Sequence, residues 1–323
     1  MGFSYGLGLP SCSVLGAEIT PTNMRHVSMS IINVMFSGGV MFGCIVILIV
    51  DPHMIAATMN WRLLLILGGC PALVALVLGL VYLDESATWL TKQDRHEEAS
   101  AVLQRMAEWN GAENVNTTCR TSDHSRRADT VTHEKTGPLA EFLLILASKR
   151  HLYTFITLCL MCFCWNMTLV GIQYCFPIIM ERFHWNMSSA ASLLIISSAG
   201  IPSALVIGIW GGFWPRIPSF VWTAGLTALA SFLFVLGRSE KGYWLYWPAL
   251  AKGTVGLYIG LISLWFQRFF GLMVITYEEL YPCEIFPTYS RATMIGATAA
   301  CGRLASIAVP FIYEWFASTF FYH

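Results

Sequence analysis

The sequence predicts an all-α membrane protein of about eight transmembrane helices, arranged as two parallel pseudo-repeats. Three observations lead to this prediction: the composition, a series of long apolar runs, and a repeated octapeptide. The 323 residues are 56% hydrophobic and only 12% charged, whereas soluble domains are about 25% charged. So few charges cannot cover a water-soluble protein of this length, which argues against a soluble enzyme. The 19 basic and 19 acidic residues balance, and the lack of a basic run argues against nucleic-acid binding.

Eight apolar runs are long enough, at roughly 20 residues, to cross a bilayer as helices. They are rich in Gly, Ala and Ser, which favour close helix packing in lipid, and none alternates polar and apolar residues as a barrel strand does. The seventh run would span about 50 Å as a single helix, so we expect Gln267 and Arg268 to split it and part of it to be an insertion. The runs comprise residues 1–17, 27–50, 62–83, 152–178, 189–213, 219–237, 245–277 and 293–317.

One long polar stretch, residues 84–150, separates the third run from the fourth and holds 9 of the 19 basic and 11 of the 19 acidic residues. Residues 93–110 carry apolar positions at helical spacing, which predicts an amphipathic surface helix. Residues 111–137 have the composition of a disordered linker. We therefore divide the chain into the end of an N-terminal helical half (1–83), a linker (84–150) and a C-terminal helical half (151–323). The positive-inside rule places the linker in the cytoplasm, with twelve basic residues on that side and five outside.

The octapeptide Glu-Ile-x-Pro-Thr-x-x-Arg occurs twice, at residues 18–25 (EITPTNMR) and 284–291 (EIFPTYSR). Two similar helix-end turns could share these residue types, but five identical positions in the same topological place favour a repeat. Six runs separate the copies, and an even number places both on the cytoplasmic face. A repeat displaced by six spans predicts two parallel six-helix halves. Counted this way, three helices are expected before residue 1 and one after residue 323.

These residues resemble the major-facilitator superfamily, in its sugar-porter and organic-ion-transporter branch with synaptic-vesicle-like members. Residues 84–90 (DESATWL) are similar to the Pro-Glu-Ser-Pro-Arg-Trp-Leu signature of that branch, although three of the seven positions differ. Residues 302–306 (GRLAS) resemble the Arg-Leu-Gly-Ser stretch of organic-ion transporters. The loop at 208–217 departs from the family's Gly-x-x-x-Asp-Arg-x-Gly-Arg-Arg pattern, because the acid is missing and Arg216 is the one arginine that remains.

The resemblance implies transmembrane transport of a small organic solute by alternating access, with no catalytic residues, cofactor or metal. An organic ion is favoured over a sugar, because Arg303 lies in the Arg-Leu-x-Ser stretch. The alternative is a transport-inactive membrane protein of the same family, either truncated or a scaffold. The expected partners are the solute and the lipid of the plasma membrane or an endomembrane, and the sequence predicts no oligomeric state.

Five charged residues lie at the predicted cytoplasmic ends of helices in both halves. Opposite charges there can pair when the inner mouth closes and separate when it opens, which biases a two-state equilibrium by about a few kcal/mol. The alternative is ordinary interface charge that extends toward water. The five residues are Glu18, Arg25, Glu85, Glu284 and Arg291.

Arg303 is the sharpest single candidate for substrate binding. It follows Arg291 by 12 residues, or about 18 Å along a helix, which places it near the membrane midplane. An arginine there costs about 2.5–3.5 kcal/mol on insertion scales. We therefore expect a partner for it, either an anionic group of the substrate or a structural counter-ion.

Amide and aromatic side chains recur in the run 152–178, which is expected to line the cavity. They suit hydroxyl groups or flat organic ions, although hydrogen bonds between helices, worth about 0.6 kcal/mol each, explain them equally well. The residues are Trp165, Asn166, Gln173 and Tyr174. No acid within the runs, apart from Glu314, is a candidate for proton coupling.

Overall fold

The computed structural model describes residues 2–50, 60–112, 142–143, 146–182, 188–236, 254–286 and 290–321, and the regular structure in these ranges is helical. A short 3-10 turn, Thr22–Met24, joins the first two helices. The helices are α1 (Gly2–Ile19), α2 (Arg25–Val50), α3 (Trp61–Tyr82), α4 (Ala87–Lys92), α5 (His96–Trp109), α6 (Lys149–Arg182), α7 (Ser189–Ser197), α8 (Gly200–Trp210), α9 (Arg216–Leu236), α10 (Thr254–Ile285) and α11 (Arg291–Phe321).

Seven helical segments within the described ranges are long and apolar enough to cross a membrane. They are α2, α3, α6, the α7–α8 pair, α9, α10 and α11, which correspond to the second to eighth predicted runs. The prediction of an all-α multi-pass membrane protein is therefore confirmed. The first predicted run forms α1, which is not among the seven.

The predicted split of the seventh run at Gln267 and Arg268 is wrong. Helix α10 continues through both residues, from Thr254 to Ile285. The two residues are only 1% and 5% exposed, because neighbouring helices surround them. Water therefore cannot replace the hydrogen bonds within the helical backbone at this point, and the helix continues. The helix also extends past residue 277, where the run was expected to end. Residues 245–253 lie outside the described ranges.

Side-chain caps begin several helices. Asn60, Ser86 and Ser188 each accept a hydrogen bond from the backbone N–H three residues further on, at 3.3–3.4 Å. Each cap satisfies one of the N–H groups that the first turn of a helix leaves without an intrahelical partner. These caps set the start of α3, α4 and α7.

The described part of the polar stretch folds as a pair of short helices. α4 and α5 pack around Leu90, Ala99 and Val102, and α5 lies inside the segment that was predicted to be amphipathic. Gly111 follows α5 with a φ of +63°, a left-handed conformation that glycine adopts without steric cost at the end of a helix. Residues 113–141, which include most of the 111–137 segment that was predicted to be disordered, lie outside the described ranges.

The transmembrane helices pack around α10. The most extensive pairs are α6 with α11, α9 with α10, and α2 with α8, and α10 also contacts α1, α2, α6, α7, α8 and α11. α3, in contrast, has no buried residue and its large apolar side chains are exposed along its length, as expected for a helix that faces lipid. The packing brings polar residues of α2, α6, α10 and α11 together inside the bundle.

Candidate functional site

The two copies of the octapeptide meet at one end of the bundle. Oε1 of Glu18 lies 4.0 Å from Nη1 of Arg291, and the two side chains are 10% and 8% exposed. Ser86, the cap of α4, donates from its Oγ to Oε2 of Glu18 at 2.5 Å. An ion pair thus joins the first copy of the repeat, at the end of α1, to the second copy, at the start of α11.

A second ion pair lies at the neighbouring ends of α9 and α10. Nη2 of Arg216 lies 3.3 Å from Oε1 of Glu284, with the side chains 24% and 27% exposed. Nη1 of Arg216 also donates to the carbonyl oxygen of Gly211 at 2.7 Å. We call these two residues, together with Glu18, Ser86 and Arg291, the rim cluster.

The other two predicted rim charges have different neighbours in the described structure. Arg25 donates from its Nε to the carbonyl oxygen of Ala17 at 3.0 Å. Glu85 is exposed, and the adjacent Ser86 contacts Glu18 in its place. Sequence reasoning missed Ser86 and Arg216. The signals for them were a serine directly before a short helix and the one arginine that the 208–217 loop keeps.

An apolar layer lies behind the rim cluster. Ala17, Met29, Leu280, Cys283 and Ile295 form one cluster, and each is 6% exposed or less. These residues come from α1, α2, α10 and α11, the helices whose ends carry Glu18, Arg25, Glu284 and Arg291. Ion pairs and apolar packing therefore hold these four helices together at this end of the bundle.

A cavity of about 110 Å³ lies deeper in the bundle, between α2, α6, α10 and α11. We call it the Arg303 cavity. The guanidinium of Arg303 interacts electrostatically with the carboxyl groups of Glu278 and Glu279. Asn33 donates from Nδ2 to Oε2 of Glu279 at 3.3 Å, while Oε1 of Glu278 is buried and has no hydrogen-bond partner among the described residues. Glu278 and Glu279 are thus candidates for the structural counter-ion expected for Arg303, and the alternative, an anionic group of the substrate, stays a prediction.

Glu278 and Glu279 are intramembrane acids that sequence reasoning missed. The seventh run was predicted to end at residue 277, which placed both carboxylates outside the membrane. Helix α10 in fact continues to Ile285, so both acids lie within it. The apolar residues after the acids were the signal that the helix continues. Glu314, the acid that was considered, is exposed.

Trp165 and Asn166 on α6 are two of the predicted candidates for substrate contact, and both line the Arg303 cavity. Nε1 of Trp165 is buried without a hydrogen-bond partner among the described residues. Nδ2 of Asn166 donates to the carbonyl oxygen of Cys162 at 2.9 Å. A Cβ added at Gly302 would lie 2.8 Å from Sγ of Cys162 and would also overlap Asn166, so only a glycine lets α11 approach α6 this closely.

Gln173 lines a different cavity, of about 190 Å³, which we call the Arg268 cavity. Arg268, Gln267 and Ser197 contribute its other main polar side chains, and Leu169 separates it from the Arg303 cavity because it lines both. Tyr174 lines neither cavity. Its ring stacks edge-on against Tyr313 of α11, with 5.7 Å between the centroids. The predicted substrate residues therefore fall into three places along α6 and α11.

Comparison with known proteins now decides the family. The family model for the Major Facilitator Superfamily matches residues 1–310. The chain belongs to this superfamily. The resemblance to this superfamily is thereby confirmed.

Individual relatives match shorter segments. The chain is 35% identical over 106 residues to Sugar transporter ERD6-like 9 of Arabidopsis thaliana, which covers 33% of this chain and 29% of that protein. It is 35% identical over 112 residues to the Synaptic vesicle 2-related protein of Rattus norvegicus, covering 35% and 19%. It is 26% identical over 258 residues to the Putative metabolite transport protein YdjK of Escherichia coli, covering 80% and 51%. The matched segments thus span at most about half of these relatives.

Proposed function

We propose that this protein moves a small organic solute across a membrane by alternating access, and that the solute is an organic ion and not a neutral sugar. Membership of the superfamily supports the transport of a solute, and relatives are named as sugar, inositol, polyol and metabolite transporters. Arg303 and Arg268, which line cavities between the helices, support the preference for an ion, because a neutral sugar carries no charge that could pair with them.

The observation that carries the proposal is the ion pair between Glu18 and Arg291. It joins the two copies of the repeat at the end of the bundle where the apolar layer lies. We assign the rim cluster, flanked by Arg25 and Glu85, the role of a gate on the cytoplasmic side of the membrane. The pairs stabilise the state in which this end is closed and are lost when it opens, so a modest pairing energy shifts the equilibrium.

We place the solute path along α6, past the residues that line the two cavities. Gln173 and Trp165 offer an amide and an aromatic face to the solute, while Asn166 and Arg303 border the path beside Glu278 and Glu279. Tyr174, stacked on Tyr313, positions α6 against α11 at the end of the path. Polar groups few in number and spread over apolar walls are typical of small-molecule sites.

The test is uptake of labelled solutes by cells that express the chain at a verified level in the membrane. A panel of sugars, polyols, organic anions and organic cations identifies the class. Glu18→Gln and Arg291→Gln are expected to slow uptake, and the double charge exchange Glu18→Arg with Arg291→Glu is expected to restore it, because the pair is re-formed with reversed polarity.

The matched control is the exposed pair of Arg95 with Glu98 on α5, whose Nη2 and Oε2 lie 2.6 Å apart. The hydrogen bond to Glu98 raises the pKa of the Arg95 guanidinium, yet an exposed pair contributes little, so Arg95→Gln leaves uptake unchanged. If the inserted chain moves no solute in the panel, the transport proposal fails and the transport-inactive alternative is favoured.

A further inference from the structure

Arg268 lies at the centre of the central helix. It is 5% exposed and stands 14 residues after the start of α10, or about 21 Å along the helix axis. Its Nη1 is buried and has no hydrogen-bond partner among the described residues. A guanidinium cannot lose its proton in a protein, so this position holds a permanent positive charge in the apolar part of the bundle.

A second donor without a partner lies next to Arg268. Gln267 is 1% exposed, and its Nε2 is also buried without a hydrogen-bond partner in the described part of the chain. Both residues line the Arg268 cavity. Since both groups donate, the atoms that would satisfy them are acceptors, and a buried donor left unpaired costs about 1–3 kcal/mol.

The charge balance of the Arg268 cavity is the reverse of that in the Arg303 cavity. The described residues that line the Arg268 cavity include no carboxylate, whereas Glu278 and Glu279 both line the Arg303 cavity. The Arg268 cavity therefore carries one positive charge that no described residue offsets. It favours a negatively charged occupant.

The remaining walls of the Arg268 cavity define what kind of anion fits. Gln173 and Ser197 supply an amide and a hydroxyl that bind hydroxyl groups, and the rest of the lining includes aliphatic side chains such as Leu169 and Ile196. The volume of about 190 Å³ is below the roughly 300–1,000 Å³ of pockets that enclose drug-sized ligands. The occupant is accordingly small and polar.

We infer that the Arg268 cavity binds a small organic carboxylate that also carries hydroxyl groups. The carboxylate accepts from Arg268 and Gln267, and the hydroxyls bond with Gln173 and Ser197. This inference deepens the proposed function by naming the solute class, and it rests on that function only for the claim that the bound anion is transported.

The test measures binding alone, on the purified full chain in lipid nanodiscs, with radiolabelled gluconate as the probe. Unlabelled gluconate is expected to displace the label, while sorbitol, which lacks the carboxylate, and chloride or phosphate, which lack the carbon chain, are not. Arg268→Gln is expected to weaken gluconate binding roughly 10- to 100-fold, the usual effect of losing a charge-assisted hydrogen bond. Arg268→Lys retains part of the affinity, and Arg95→Gln, on the exposed helix α5, binds as the wild type.

A second measurement on the wild-type chain covers the case in which Arg268→Gln fails to fold. Cys44 lines the same cavity, so gluconate is expected to slow its alkylation by N-ethylmaleimide, and sorbitol is not. Binding that is unchanged by Arg268→Gln in a folded protein overturns the inference, and so does equal competition by sorbitol, chloride or phosphate. Uptake of other solutes without gluconate binding also overturns the inference but leaves the proposed function intact. Gluconate binding without any uptake supports the inference and overturns the proposed function.

Discussion

Arg303 and Arg268 are the same residue type in adjoining cavities, yet their surroundings differ in sign. Arg303 shares its cavity with two carboxylates and is exposed, whereas Arg268 is buried beside another unpaired donor. Arg303 lies about 18 Å from the start of α11 and Arg268 about 26 Å from the same end of the bundle. This difference is the reason why we propose Arg268 as the arginine that binds an anion: carboxylates line the cavity of Arg303, and none of the described residues that line the cavity of Arg268 is a carboxylate.

The largest expected effect comes from replacing each arginine with methionine, which keeps an unbranched apolar stem. Arg303→Met is expected to lower the free energy of unfolding by about 1–3 kcal/mol, because Glu278 and Glu279 lose their counter-charge. Arg268→Met is expected to raise it by about 1–3 kcal/mol, because an unpaired charge leaves the interior. Thermal melting of the purified chain in one detergent, without added organic anion, measures both.

Shifts of the same sign for the two variants would contradict this comparison. In particular, a large loss of stability in Arg268→Met would mean that Arg268 is paired in the absence of a solute.

The next effect tests how tightly the Arg303 cavity is bounded. Gly302→Ala places a Cβ against Cys162 and Asn166, and overpacking of this kind costs about 1–3 kcal/mol. Gly296→Ala on the same helix is the matched control, because nothing lies within 4 Å of its added Cβ. The control is expected to gain up to about 1 kcal/mol from the higher helix propensity of alanine. Equal melting temperatures for the two variants would show that α6 and α11 are not packed this closely.

A smaller effect tests whether the rim cluster controls access to both cavities. Glu18→Gln removes one ion pair, worth about 1 kcal/mol for groups at the bundle end, which corresponds to roughly a fivefold change in an equilibrium. Cys283 is 0% exposed in the apolar layer behind the pair, so its alkylation by N-ethylmaleimide reports opening. The rate of alkylation, resolved by peptide mass spectrometry, is expected to rise about fivefold in Glu18→Gln and to stay constant in Glu98→Gln. An unchanged rate in both would remove Glu18 from the gate.

The smallest effect is expected for an arginine outside the membrane. Arg105 pairs with Asp84, with Nη1 and Oδ1 2.5 Å apart, but its side chain is 52% exposed. Surface ion pairs contribute about 0–1 kcal/mol, so Arg105→Gln is expected to change the free energy of unfolding by less than about 0.5 kcal/mol. A larger change in the same melting experiment would mean that replacing an exposed arginine affects stability as much as replacing Arg268 or Arg303.

Local patterns predicted the fold well, because helix length and hydropathy are local properties. The six runs between the octapeptides predicted that Glu18 and Arg291 lie at the same end, and the structure brings their side chains within 4.0 Å. The site was harder to predict. Arg268 was noticed but interpreted as a break in a helix. A charge within an apolar run can be seen in the local sequence, whereas its burial depends on how other helices pack around it.

Counter-charges depend on contacts between helices far apart in the sequence. Asn33 and Glu279 are hydrogen-bonded across 246 positions, and no spacing within one helix reveals such a contact. Glu278 and Glu279 were missed for a simpler reason, which is that a helix boundary was placed one residue before them. The predicted end at residue 277 falls eight residues before the end of α10 at Ile285, and this error moved two carboxylates out of the membrane.

Counterflow in proteoliposomes tests the central claim, transport of an organic anion through the Arg268 cavity, most directly. Vesicles that contain the purified chain are loaded with unlabelled gluconate or with sorbitol, and the influx of labelled gluconate is compared. The account predicts faster influx into the gluconate-loaded vesicles, because a loaded site reorients and returns with label, and predicts that Arg268→Gln abolishes this difference while Arg95→Gln retains it. Equal influx into both sets of wild-type vesicles would contradict the account.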